Sequence, residues 1–174
     1  DIAIGTPVAG RGQRELDDLV GMFVGTLVLR AHIDPAESFT DVLNSVRERD
    51  LDAYANTDIP FERLVEILQP PRSTAHHPLF QVMLSIEDAS PPSVELPNLS
   101  VRPLDTSHVA AKFDLHVTVS LAADTASVEI VYATDILDAS TVPRLAERYR
   151  SILTAALADP TRPVGDIPIL TAEE

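Results

Sequence analysis

The sequence predicts an α/β fold, a mixed sheet with packed helices, and three observations carry that expectation. Phe113, Leu115, Val117, Val119 and Leu121 alternate with Asp114, His116, Thr118 and Ser120, the period of two of a strand with one buried face. Two longer stretches, 38–54 and 141–157, instead space their apolar residues at helical intervals. Proline pairs and small-residue clusters punctuate the chain between these segments.

Ile2 to Ile4 suggests a short strand, followed by a loop of small residues from Gly5 to Arg11. Thr26 to Ile33 is rich in β-branched residues and leucine in near-alternation, which predicts a second strand. Ser38 is placed as a helix N-cap, with Asp41 three residues on in a variant of the capping box. Phe39, Val42, Leu43, Val46, Ala53 and Tyr54 then fall on or near one face of a helix to about Tyr54. Pro60 can open a shorter helix through Leu68, because the first helical turn leaves its N–H groups unbonded in any case; Pro70 and Pro71 stop it. Phe80 to Ile86 reads as a buried strand, and Pro91, Pro92 and Pro97 mark a loop. The 113–121 strand pairs as a hairpin with one marked by Val128, Ile130 and Tyr132. A last helix begins near Ser140, since Pro143 must lie in its first turn, and its core stripe is Val142, Leu145, Tyr149, Ile152, Leu153 and Ala156.

A length of 174 residues suits one domain, or one lobe of a larger one. The formal charge of −14, with Lys112 the only lysine, argues against nucleic acid, whose phosphates need clustered cations. Arg144 and Arg148 lie four apart, but Glu147 interrupts them. With no cysteine there is no disulfide framework, thiolate nucleophile or Cys-based zinc site. No apolar run approaches the roughly 20 residues of a membrane helix. The N-terminus lacks a basic start followed by an apolar stretch, so we expect no signal peptide and a cytoplasmic setting. It reads as a strand entered in mid-sequence.

Three segments carry the functional signal. The first runs from Gly21 through Phe23, Val24, Gly25 and Thr26 to Arg30; the second is Asn56-Thr57-Asp58-Ile59-Pro60-Phe61-Glu62. The third begins at Arg72 and ends in Pro78-Leu79-Phe80-Gln81-Val82-Met83. In order and spacing they resemble the late core motifs of condensation domains, the amide-forming domains of nonribosomal peptide synthetases. Gly25 stands where the family usually has Asn, and Thr57 where it usually has Gln. The family's catalytic signature, His-His-x-x-x-Asp-Gly, lies upstream of these motifs, and nothing in this sequence matches it. The resemblance therefore implies most of the C-terminal lobe of a chloramphenicol acetyltransferase-like fold, residues 1–158. Residues 159–174 resemble the linker toward a following adenylation domain.

In that family, donor and acceptor arrive as thioesters on the phosphopantetheine arms of carrier proteins. The acceptor amine attacks the donor carbonyl and the thiol leaves. The resemblance implies partners in the N-terminal lobe of the same domain, two carrier proteins and the adenylation domain. No directly bound cofactor or metal is implied. It makes Gly25, Thr26, Asn56 and Asp58 candidates for the substrate-channel wall. The residues themselves also allow turn chemistry, with Asp58 satisfying the first N–H groups of the next helix and the glycines easing entry into a strand.

The five histidines, His32, His76, His77, His108 and His116, lie in contexts unlike the catalytic one. Counting from His76-His77, the signature's Asp and Gly would fall at Gln81 and Val82. We read His76 and His77 as surface or strand-entry residues and His116 as pointing outward. Asp114 is expected to pair with Lys112. Catalysis of amide formation needs a positioned group of suitable pKa, so this chain alone is expected to be inactive, with an uncovered apolar patch that favours self-association. Two other readings remain: a catalytically silent condensation-like module that recruits a tailoring enzyme, and a related acyltransferase with a free alcohol or amine acceptor.

Overall fold

The computed structural model describes residues 1–12, 14–71, 73, 75–88, 99 and 110–170. Five strands form one mixed sheet: β1 (Ile2–Ala9), β2 (Val24–Ala31), β3 (Val82–Asp88), β4 (Leu115–Leu121) and β5 (Ala126–Tyr132). Three helices accompany it: α1 (Phe39–Ala55), α2 (Phe61–Leu68) and α3 (Thr141–Ala158). The spatial order is β2-β1-β3-β4-β5. The two outer pairs are antiparallel, while β1–β3 and β3–β4 are parallel. This is the expected α/β class. The loop expected around Pro91, Pro92 and Pro97, together with Arg72 and His108, lies outside the described residues.

β1 is longer than its sequence suggests. Residues 5–9, read as loop, continue the strand and pair in full register with β2, from Ile2↔Ala31 to Ala9↔Val24. Pro7 is tolerated because β1 meets β3 only at Ile4↔Val82 and Gly5↔Met83. Beyond that point β1 has no partner on this edge among the described residues, and the missing proline N–H breaks no ladder between them there. Within the connection that follows, Gly10 N donates to Phe23 O at 2.6 Å. A Cβ on Gly10 would stand 2.3 Å from that oxygen, so only glycine fits. Arg11 fastens the same loop, its guanidinium 4.2 Å from the Phe23 ring centroid and donating to the Leu16 and Asp17 carbonyls.

Helix α1 begins as the capping pattern predicts. Ser38 Oγ accepts from Asp41 N at 3.1 Å, and the Ser38 hydroxyl donates to the Asp41 carboxylate at 2.6 Å. The first two N–H groups of α1 find partners from the far end of the chain. Phe39 N donates to Arg162 O and Thr40 N to Pro160 O. Val164 N and Gly165 N return bonds to Glu37 O and Pro35 O. A helix leaves its first N–H groups without internal partners, so the proline-rich stretch after α3 acts as a cap, anchored by the buried Ile167.

The buried side of α3 is turned from the expected one. Val142 and Ala156 are buried, and Ala146, Ile152 and Leu153 are half-buried, whereas Leu145 and Tyr149 are exposed. On α1, Val42 is buried, but Leu43 and Tyr54 face solvent. Pro60 is the N-cap of α2 rather than its first residue, and its carbonyl accepts from Arg63 N and Leu64 N. The helix stops before Pro70 by placing Gln69 in the left-handed region (φ 43, ψ 51), since a residue preceding proline is disfavoured in the right-handed helical region.

Candidate functional site

Two of the three motif segments meet around one buried ring. Phe80, from the third segment, is fully buried and lies directly over Gly5 of β1. Phe61, from the second, meets Phe80 edge-on with centroids 5.9 Å apart. His77 lies between them, 4.0 Å from Phe80 and 5.1 Å from Phe61. Phe113, just before β4, adds contacts of 5.4 Å to both His77 and Phe80. The Phe61–Phe80 and His77–Phe113 pairs are edge-on, an arrangement that aromatic quadrupoles favour, and the other pairs are tilted. The cluster joins α2, the approach to β3 and the approach to β4, and α2 also touches β2, which carries the first segment.

The four candidate channel residues stand at the margins of this arrangement. Gly25 and Thr26 pair with Val8 and Pro7 on the edge strand β2. Being consecutive in a strand, they face opposite sides of the sheet. Gly25 is exposed and Thr26 half-buried. Asn56 is the C-cap of α1; its backbone N–H donates to Ala53 O, and its side-chain amide donates to Asp52 O at 2.8 Å. Asp58 is exposed in the turn between the helices. The expectation that Asp58 caps α2 fails, because no side chain caps that helix and the Pro60 carbonyl takes the first turn's bonds. One surface cleft is lined by Val65, Glu66, Gln69, Pro70, Pro71 and Pro78; another lies beside Asp1, Val28, Arg30 and Arg49. None of the four candidates lines either cleft.

His77 lies at the entry to β3, as one of its two expected readings had it, and His116 departs from its expected place. His77 is a half-buried member of the ring cluster, and its Nδ1 is buried without a hydrogen-bond partner. Desolvation pushes its pKa below the ordinary histidine value, opposed by a backbone interaction at Phe80. His116 does not point freely outward: its Nε2 is hydrogen-bonded at 2.8 Å to Ser85 Oγ, a buried hydroxyl on β3. The β3–β4 register puts Met83, Ser85, His116 and Thr118 on one face, and Ser85 needs a partner there because a buried hydroxyl without one is costly. Alternation within β4 shows only that His116 is opposite Leu115. Its environment depends on which strand lies alongside. The expected Lys112–Asp114 ion pair does not form among the described residues; the Asp114 backbone instead accepts from Ala133 N. Among the described residues no group of three or more His, Cys, Asp or Glu is arranged to hold a metal ion. No described helix is long and apolar enough to cross a membrane.

This five-stranded mixed sheet with its helices matches the chloramphenicol acetyltransferase-like condensation fold. The condensation-domain family matches residues 1–174, and the chain belongs to that family. It is 44% identical over 180 residues to a dimodular nonribosomal peptide synthase of Bacillus subtilis (strain 168), covering all of this chain and 8% of the relative. It is 42% identical over 180 residues to a probable non-canonical nonribosomal peptide synthetase, CymA, of Salinispora arenicola (strain CNS-205), covering 2% of that protein. Among solved structures, the X-domain from teicoplanin biosynthesis superposes with a TM-score of 0.89 at 27% identity, over 98% of this chain and 40% of that one. The first condensation domain of the CDA synthetase gives a TM-score of 0.72 at 22% identity, over 98% of this chain and 38% of the other. The chain thus spans part of a nonribosomal peptide synthetase condensation domain, and a small fraction of the curated relatives it matches.

Proposed function

We propose that the parent domain forms an amide bond between a donor acyl or peptidyl group and an aminoacyl acceptor, both held as thioesters on carrier-protein phosphopantetheine arms. In that reading this segment supplies channel wall and part of the carrier docking surface. The observation that carries it is the meeting of the second and third family motifs around Phe80, with α2 also touching the strand of the first. Residues 1–158 act as most of the C-terminal lobe, and residues 159–174 lead toward an adenylation domain in the cytoplasm. The proton-handling histidine belongs to the N-terminal lobe, because no His-His-x-x-x-Asp-Gly occurs in this sequence. The isolated segment is therefore inactive.

Gly25, Thr26, Asn56 and Asp58 are proposed for the channel wall, with Gly25 leaving space where relatives place an amide. The exposed Val20 (104%) and Met22 (89%), just before β2, fit a surface that the other lobe or a second copy covers. A second reading is a silent module that recruits a partner enzyme. It draws on likeness to the X-domain solved in complex with OxyB, at TM-score 0.84 and 28% identity. Single-turnover condensation by the full-length parent, with donor and acceptor loaded on carriers, separates the two readings. Product formation supports the first, and a loaded protein that forms none overturns it.

A further inference from the structure

We propose that His77 is a positioning residue whose uncharged ring ties α2, and with it the Asn56–Pro60 turn, to the sheet. The tie rests on geometry, and its consequence for the channel rests on the function proposed above. The His77 ring touches Phe61 of α2, Phe80 over Gly5, and Phe113 ahead of β4, with centroids 5.1, 4.0 and 5.4 Å away. It is thus the one side chain in contact with all three other rings that is also able to change charge. Its backbone is held as well, since Gln81 Nε2 donates to His77 O at 3.1 Å.

Nδ1 is enclosed without a partner. A neutral ring tolerates this, because one nitrogen is then a bare acceptor. An imidazolium would add a buried N–H donor at Nδ1 and a positive charge in an apolar setting, a cost that the backbone interaction at Phe80 offsets only in part. The interplanar angles of 35°, 40° and 65° leave no ring lying flat against it to compensate fully. The titratable and charged groups on the segments that carry the cluster are Glu62, Arg63 and Glu66 on α2, His76 next in sequence, Lys112 and Asp114 before β4, and His116 on β4. Arg63 and Glu66 pair with each other, and His116 bonds to Ser85. None of these groups accepts from or donates to His77 Nδ1. Because the folded ring binds its proton less readily than the unfolded one, the tie is complete above the ordinary histidine pKa and weakens as pH falls through and below it.

Hydrogen exchange followed by mass spectrometry on the full-length parent tests this, comparing about pH 7.5 with about pH 5.5 after correction for intrinsic rates. We expect protection of peptides within 56–69 to drop about threefold or more at the lower pH, while β2 peptides keep theirs. His77→Phe, which keeps a ring and cannot titrate, should abolish the pH dependence. If that variant does not fold, the smaller, non-titrating His77→Asn should show lower protection at both pH values with no difference between them. Unchanged wild-type protection, or the same acid-induced loss in the variant, overturns the proposal. The readout involves no condensation step, so its failure leaves the proposed function standing, and the failure of condensation would leave the tie standing.

Discussion

Replacing Gly5 by alanine should destabilise the fold out of proportion to the single carbon added. A Cβ at position 5 would lie 2.3 Å from both Phe80 Cε2 and Cζ, and 2.8 Å from Cδ2. A flexible surface side chain would swing away, but Phe80 is fully buried and confined by Phe61, His77 and Phe113. Overpacking of this kind costs about 1–3 kcal/mol, and each kcal/mol shifts Tm by about 2–4 °C in a chain of this size. Removing the ring by Phe80→Ala should cost about 3–5 kcal/mol through lost burial and the cavity left behind. Urea unfolding of the two single variants, with Phe80→Leu and the Gly5→Ala/Phe80→Leu pair, completes the test. If the clash is the cause, the shorter leucine relieves it, and the double variant is more stable than the sum of the singles by about 1 kcal/mol or more. Strict additivity, or a Gly5→Ala cost below about 0.5 kcal/mol, would refute the packing argument.

Three further outcomes follow from other parts of the molecule. Ser38→Ala removes the acceptor for Asp41 N and should cost about 1 kcal/mol by chemical denaturation; Ser38→Asp, which can still cap, should recover most of it. Asp159 titrates below the usual aspartate range because the Thr161 side chain and backbone N–H bond its carboxylate. Its small contribution is present above the unfolded aspartate pKa and fades as pH falls through the folded one, and carboxyl NMR of Thr161→Val should show the midpoint move upward. In the full-length parent, Asn56→Ala should lower the single-turnover condensation rate by a larger factor than thermal melting would explain; parallel losses would return Asn56 to its role as the cap of α1.

What could be read in advance was what depends on near neighbours. The Ser38–Asp41 cap, the β4–β5 hairpin and the first-turn place of Pro143 are local, and each stands in the structure; the one buried face expected of β4 does not, because Leu115 to Ser120 are all half-buried. The extension of β1 through Pro7 was hidden because small residues and a proline look like loop until a partner strand is aligned beside them. The ring contacts of His77 and the bond of His116 were missed for the same reason. The ring cluster draws on residues 61, 77, 80 and 113, and the Ser85–His116 bond crosses two parallel strands. Neither has a signature in spacing. The motif segments were legible as a set, but the meeting point of the second and third at Phe80 was not, since it is fixed by Gly5 at the far end of the sequence.

The central claim is that this segment is one half of a two-lobed condensing site and lacks the group that handles the proton of the attacking amine. A single-turnover assay with donor and acceptor loaded on carrier proteins addresses it directly, run on the 174-residue chain and on the complete condensation domain. The account predicts amide product from the complete domain and none above background from the chain alone. Product from the chain alone at a rate near that of the complete domain would contradict it.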